Sequence, residues 1–368
     1  MSELRLGIDA AVLSKPLSGI GRYLFEICKR LDGLLPEARF VVYSPTPLAV
    51  TLPSDRWTVR VGGAALARFG STYLWLKLWV ARMAAKDGVD IFWAPRTILP
   101  RPSSAFSTVS TVHDLNYRIF PASMPYATLW AHRFWFAADV RRADRVVTNS
   151  GGTRDRLRDL LDVQADAIAP PGISSSFAPQ SAARVEDRLS ALGVGRPYFL
   201  AVGTLEPRKN LPPLIEAFVS LKREGELAGY GLQIAGAGGW RRGQISSSLA
   251  SAAEAGVRWL GFVPDEDLAV LYTGAHALVF PSLYEGFGIP AAEALACGTR
   301  VVASDLPELR EAAGPQGIYI QATVAGIRAG LLAAVRAEPV APEAPRDWMV
   351  PAQVMANLFR KLYQDRPK

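Results

Sequence analysis

Cysteine and histidine are scarce in this 368-residue chain: two of the first, Cys28 and Cys297, and three of the second, His113, His132 and His276. Two distant cysteines build no disulfide framework and match no metal-ligand spacing, which fits a reducing compartment. No apolar run approaches the ~20 residues that a membrane-spanning helix needs. The N-terminus, MSELRLGID, enters a strand-like stretch without a basic-then-apolar leader, so no secretory signal is expected. Internal repeats and low-complexity tracts are missing too. What remains is a globular composition, 49% hydrophobic and 20% charged, long enough for two domains of roughly 150–180 residues each.

The net charge of +7 is uneven. Residues 1–180 carry 22 Lys+Arg against 15 Asp+Glu, and residues 181–368 carry 19 against 19. All the excess positive charge therefore lies in the first half. It suits an anionic partner such as a membrane surface, a nucleic acid or a phosphorylated acceptor, or simply a basic, soluble surface.

Short apolar runs alternate with longer helical patterns. LRLGIDA (4–10), RFVVYS (39–44), DIFWAP (90–95), FSTVSTVHD (106–114), RVVTNS (145–150) and DAIAPPG (166–172) form one series. PYFLAVG (197–203), YGLQIAGAG (230–238), VRWLGFV (257–263), HALVFPS (276–282) and TRVVASD (299–305) form a second. Most are too continuously apolar for a sheet with one wet face, so they read as parallel strands covered on both sides. Strand–helix alternation then predicts two doubly wound, Rossmann-like α/β domains facing a central cleft. The series breaks in the APPG and SSSFAPQSAA stretch, which places a first domain at 1–172 and a second at 173–345. Residues 346–368 read as a terminal helix packing back toward the first domain.

The most informative segment is Tyr284-Glu285-Gly286-Phe287-Gly288-Ile289-Pro290-Ala291-Ala292-Glu293, directly after a strand. Gly286 and Gly288 let backbone approach a ligand. Pro290 suits the first turn of a helix. The loop N–H groups, Phe287's included, and the helix dipole make a diphosphate site. Glu285 lies within reach of a sugar, and Glu293, about one turn in, can accept both hydroxyls of a ribose. The plain alternative is a helix start with acids favoured by the dipole.

This segment matches the paired-glutamate motif, spaced eight apart, of the family-four retaining glycosyltransferases. Gly19-Ile20-Gly21-Arg22-Tyr23 resembles their first Gly-rich loop, and Thr111-Val112-His113-Asp114-Leu115 their His-Asp strand end. Val202-Gly203-Thr204-Leu205-Glu206-Pro207-Arg208-Lys209-Asn210 resembles their phosphate-binding strand end. The four occur in the family's order across nearly the whole chain. The resemblance implies the GT-B fold, a nucleotide-sugar donor, retention of configuration and no metal or cofactor. It also suggests that His113 faces the donor sugar and that backbone near Gly261–Val263 edges the base. Many relatives have an arginine where this chain has Thr204, and Arg208 is the candidate to take over that role.

Arg208 and Lys209 also stand on physics. Two cations at a strand's C-terminal end can stabilise a departing diphosphate; the alternative is a helix-flanking charge pair. Gly19 and Gly21 open a loop to donor or acceptor. They are only two glycines of a dinucleotide fingerprint, with no acid after a second strand, which argues against a nicotinamide enzyme. His132 and His276 read as packing. Asp265-Glu266-Asp267 has the form of a metal motif but reads as the cap and acidic first turn of a helix, so no metal site is expected.

Two aromatic stretches lie in the basic half. One spans 71–86, with Tyr73, Trp75, Lys77, Trp79, Arg82 and Lys86; the other runs from Tyr126 and Trp130 to Trp135 and Phe136. Trp75 and Trp79, four apart, are expected on one helix face. Aromatics among cations suit an anionic membrane interface, and core packing is the alternative. No nucleic-acid module is recognisable.

The expected activity is hexosyl transfer from a nucleotide diphosphate to a glycan or lipid-linked acceptor. GIGRY, TVHDL, LEPRKN and SLYEGFG look most like bacterial mannosyltransferases of surface-polysaccharide assembly, which makes GDP-mannose the first-choice donor. A cytoplasmic enzyme, peripheral at the inner membrane, is expected. A nucleotide-sugar epimerase and a catalytically silent sugar-nucleotide binder are the rival readings.

Overall fold

The structure, a computed structural model, describes residues 3–15, 17, 19–62, 72–239 and 243–366; Ser71, the start of the aromatic stretch 71–86, lies outside the described residues. Two compact units divide the chain. Met1–Arg118, Met124–Gly172 and Asp347–Lys368 form the first, and Ile119–Ser123 with Ile173–Arg346 the second.

The first unit holds β1 (Arg5–Asp9), β2 (Arg39–Ser44), β3 (Trp57–Val61), β4 (Ile91–Ala94), β5 (Ser107–Val112), β6 (Arg145–Thr148) and β7 (Ala167–Ile168), in spatial order 3-2-1-4-5-6-7. The second holds β8 (Tyr198–Val202), β9 (Gly231–Ala235), β10 (Val257–Gly261), β11 (Ala277–Phe280), β12 (Arg300–Ser304) and β13 (Ile318–Ile320), in order 10-9-8-11-12-13. All pairings are parallel. Each sheet winds outward from its first strand to one edge, then returns to wind the other way. The reversal falls between β1 and β4, and again between β8 and β11. Ligands of open α/β sheets bind at the strand ends of such a reversal.

The continuous apolar runs have a direct physical reason. In β8, Tyr198 and Leu200 enter one core cluster while Phe199 and Ala201 enter another on the opposite face. Successive side chains of a strand point to opposite faces, so a sheet covered twice needs apolar residues at every position. The helix Leu211–Arg223 covers the second face with Leu214, Phe218 and Leu221. The helix Ile289–Ala296 covers the first with Ala291, Ala294 and Leu295.

Two strands went unexpected, β3 and β13. Both are edge strands; β3 is exposed at every residue after Trp57, and its Thr-Val-Arg-Val carries no buried run to read. The C-terminal helix Met349–Gln364 belongs to the first unit. Ala352, Met355, Ala356, Phe359 and Leu362 bury one stripe in that unit's core, the 3.6-residue pattern of an amphipathic helix.

Trp75 and Trp79, expected on one helix face, lie in different environments. Leu76–Val80 is a π-helical turn inside Thr72–Lys86. Trp75 is 1% exposed and Trp79 43%. Lys77 is buried and donates to Asp139 Oδ1 at 2.7 Å, so it is a structural cation and not part of a basic surface. No helix among the described residues is long and apolar enough to cross a membrane.

Candidate active site

The reversal of the second sheet gathers the charged residues of the chain's most informative motifs. Gly203 directly follows β8, with φ +147°; a Cβ there would lie 2.8 Å from Lys209 Cε. Glycine is thus what lets the lysine stem cross the strand end. Pro207–Lys209 forms one 3-10 turn, closed by Asn210 in the left-handed conformation. Leu283 N donates to Arg208 O at 2.9 Å, which ties this turn to the loop after β11.

Four charged side chains meet there. Lys209 Nζ donates to Glu285 Oε1 at 2.7 Å, and Arg208 Nη1 lies 2.6 Å from Glu285 Oε2. Arg208 Nη1 also donates to Tyr284 O, and Nη2 to Glu206 Oε1 at 2.5 Å. Lys209 Nζ stands 4.5 Å over the Phe280 ring. Burial alone raises the Glu285 pKa, but Arg208 and Lys209 outweigh it and hold the carboxyl at about 2. Burial pulls Lys209 below the ordinary lysine range, opposed by Glu285. A buried ion cluster gains little stability over apolar packing, because desolvation consumes the Coulomb attraction. Its chemical sense is a pair of cations stored at strand ends where an anion can exchange with the carboxylates.

Beside the cluster, the helix Ile289–Ala296 starts from Gly288 at φ +105°. A Cβ on Gly288 would meet Leu309 at 2.4 Å. Among the described residues, the N–H groups of Phe287, Gly288 and Ile289 have no internal acceptor. Such amides, with the helix dipole behind them, suit an anion. Gly286 is half-buried in the same loop. The Phe287 side chain is buried under the Arg346 guanidinium, 5.3 Å from its ring, so only its backbone can face a ligand. Glu293 lies in the second turn of the helix, buried, with Oε2 accepting from Tyr272 Oη at 3.0 Å.

Thr204 is exposed after Gly203. Val263 sends its side chain into the core, whereas its neighbour Phe262 is 77% exposed at the end of β10. Asp265-Glu266-Asp267 fills the first turn of Asp265–Gly274 behind Pro264 as the cap, and Asp267 pairs with Arg188. No group of three or more His, Cys, Asp or Glu able to hold a metal is found among the described residues.

Gly19, Gly21 and His113 belong to the first unit. Gly19 caps the helix Ile20–Leu34 at φ +44° with open space where a Cβ would stand. Gly21 is buried, 3.5 Å (at its Cβ position) from Val12 O. His113 Nε2 lies 2.9 Å from Pro95 O, and its ring meets Tyr23 edge-on at 4.8 Å. Burial lowers its pKa to about 4 despite Asp114 nearby. The carbonyl partner assigns the proton to Nε2 of the neutral ring and leaves Nδ1 as an acceptor.

Glu206 and Phe262 stand inside segments that the resemblance marks but gives no role of their own. Asp9 and Arg96 stand outside every candidate and form a buried bidentate pair at 2.8 and 3.0 Å across the ends of β1 and β4. Arg96 also lies 4.7 Å over Tyr73. A charged residue closing or following an apolar run, as Asp9 and Arg96 do, was the available signal.

Comparison with known proteins bears on this geometry. Residues 17–176 match the family model described as Glycosyltransferase Family 4, and residues 186–325 the one described as Glycosyl transferases group 1. O-antigen chain mannosyltransferase B of Escherichia coli is 32% identical over 82% of this chain and 83% of its own. O-antigen chain mannosyltransferase RfbU of Salmonella typhimurium is 28% identical over 57% of this chain and 55% of its own. Among solved structures, sucrose-phosphate synthase from Thermosynechococcus elongatus superposes with a TM-score of 0.70 at 18% identity, over 99% of this chain and 100% of that one. WaaG, a glycosyltransferase involved in lipopolysaccharide biosynthesis, gives 0.67 at 15% identity, over 99% and 95%. At such identities the likeness concerns the fold, which is GT-B.

Proposed function

The chain belongs to glycosyltransferase family 4, and on that premise we propose that it moves a mannosyl residue from GDP-mannose to a glycan or lipid-linked acceptor in surface-polysaccharide assembly. The O-antigen mannosyltransferases among its relatives support mannose; another nucleoside-diphosphate hexose is the second choice. The observation that carries the reading is the Arg208–Glu285–Lys209 cluster beside the start of the helix Ile289–Ala296.

The donor diphosphate takes the place of Glu285 on the two cations and accepts from the loop amides. As the bond between the anomeric carbon and phosphate oxygen breaks, charge grows on the diphosphate. Lys209, Arg208 and the helix start stabilise it there, without a metal ion or cofactor. The acceptor oxygen bonds the anomeric carbon on the same face, and its proton passes to the departing phosphate, which retains the configuration. Glu285, released from the cations, turns to the sugar. Glu293 accepts from the ribose, and the exposed Phe262 ring offers the base an apolar face. Neutral His113 presents Nδ1 as an acceptor for a sugar hydroxyl.

The test is incubation with a panel of nucleotide sugars, with and without acceptor, and product analysis by NMR. An α-linked mannoside formed only with acceptor is expected. A free epimerised sugar without acceptor makes the protein an epimerase. Donor-induced thermal stabilisation without any product makes it a silent binder, since ligand affinity alone shifts the melting point.

A further inference from the structure

Three aromatic side chains stand out from the first unit. Tyr126, Trp130 and Phe134 are 69%, 53% and 68% exposed. They occupy positions i, i+4 and i+8 of the helix Tyr126–Arg142. Residues four apart lie close to one line along an α-helix, so the three form one stripe. Trp130 and Phe134 stack with centroids 5.6 Å apart and planes 23° apart, and the Arg133 guanidinium lies 5.9 Å from the Trp130 ring. The other side of the helix buries Ala131, Phe136 and Val140.

Charge says what this stripe fits. The only carboxylate of the helix, Asp139, is buried and held by Lys77 and Arg142. The outward side therefore combines aromatics with Arg133 and Arg141, both exposed, and no acid. It belongs to the half of the chain that carries the whole +7 excess. Single exposed apolar residues are ordinary, whereas a contiguous stripe marks a partner. A second copy docking on this side would bring arginines together with no carboxylate in the helix to answer them.

We propose that the outward side of Tyr126–Arg142 is a docking surface for an anionic lipid bilayer. Tyr126, Trp130 and Phe134 enter the boundary between headgroups and acyl chains while Arg133 meets lipid phosphate. Aromatic insertion supplies a part of the binding that salt does not screen, and the arginines supply a part that it does. The inference rests on this surface alone, so it stands or falls apart from the proposed sugar transfer. If both hold, the enzyme meets a lipid-linked acceptor at the surface that carries it.

The test is flotation of the full chain with vesicles containing about one third phosphatidylglycerol, and with neutral phosphatidylcholine vesicles, at low and high salt. The wild type is expected to float with the anionic vesicles and to keep part of its binding at high salt. The double variant Trp130→Ser/Phe134→Ser should lose about ten-fold in bound fraction at either salt, and Arg133→Gln should lose binding at low salt only. Should the double variant not fold, Trp130→Phe decides. It keeps the docking, and its fluorescence quenching by bromolipid falls below that of the wild type. Four results overturn the proposal: a wild type that ignores anionic vesicles at low salt, unchanged quenching in Trp130→Phe, a folded double variant that floats as the wild type does, or a wild-type dimer in analytical ultracentrifugation that the double variant dissociates.

Discussion

Lys209 and Glu285 are 76 residues apart in sequence and 2.7 Å apart in the fold. The ammonium is a compact charge held where the diphosphate is proposed to leave, so its loss acts on the barrier. Lys209→Ala is expected to lower kcat about 100-fold, ~2.7 kcal/mol, measured by steady-state kinetics. Lys209→Arg should recover only part, because a planar fork does not reproduce a point charge. Near-normal turnover in Lys209→Ala would move the role to Arg208. Glu206 acts one step further out. It holds Arg208 Nη2 while Nη1 faces Glu285 and Tyr284 O, which makes it a positioning residue. Glu206→Gln should raise the donor KM about ten-fold, ~1.4 kcal/mol, with a smaller change in kcat. Glu206→Asp should restore part of it. An unchanged KM would mean that Glu285 and Tyr284 suffice to orient the guanidinium.

At the scale of elements, burial decides what the segment 72–86 is. Trp75 and Trp79 are four residues apart, yet one is buried and the other exposed, and Lys77 is buried against Asp139. Without Lys77 the buried Asp139 keeps Arg142 and the Leu99 N–H but loses two charge-assisted hydrogen bonds. Lys77→Met is therefore expected to destabilise the protein by about 1.5–3 kcal/mol in urea unfolding. Trp79→Ser, at an exposed position, should stay within about 0.5 kcal/mol. Equal losses in the two variants would contradict the division between a buried lysine and an exposed tryptophan. The edge strands β3 and β13 show another limit of reading elements from sequence. β3 leaves four of its five residues exposed and β13 spans only three residues, so neither an apolar run nor a clean alternation announces them.

For the whole molecule, the decisive arrangement is a pair of sheets with the same winding order, each reversing beside its first strand. In the second, the reversal assembles two cations, two carboxylates and a helix start. If these meet the diphosphate charge as proposed, turnover should persist in EDTA. Activity lost in the chelator and restored by magnesium or manganese would show that a metal carries that charge. The chain's own order determined much of this. Continuous apolar runs alternating with helical patterns can be satisfied only by sheets covered on both faces, so the α/β class was legible locally. Gly203, Gly286, Gly288 and Pro290 mark backbone turns, and turns are local as well. The tertiary structure alone decided which charges touch. That Arg208 bridges Glu206 and Glu285, that Asp9 closes on Arg96, and that Lys77 turns inward while Trp130 turns outward depend on packing between elements far apart in sequence. Periodicity reports which face of an element is buried. It does not report which distant side chain meets that face, because that choice is made by the summed contacts of the whole core.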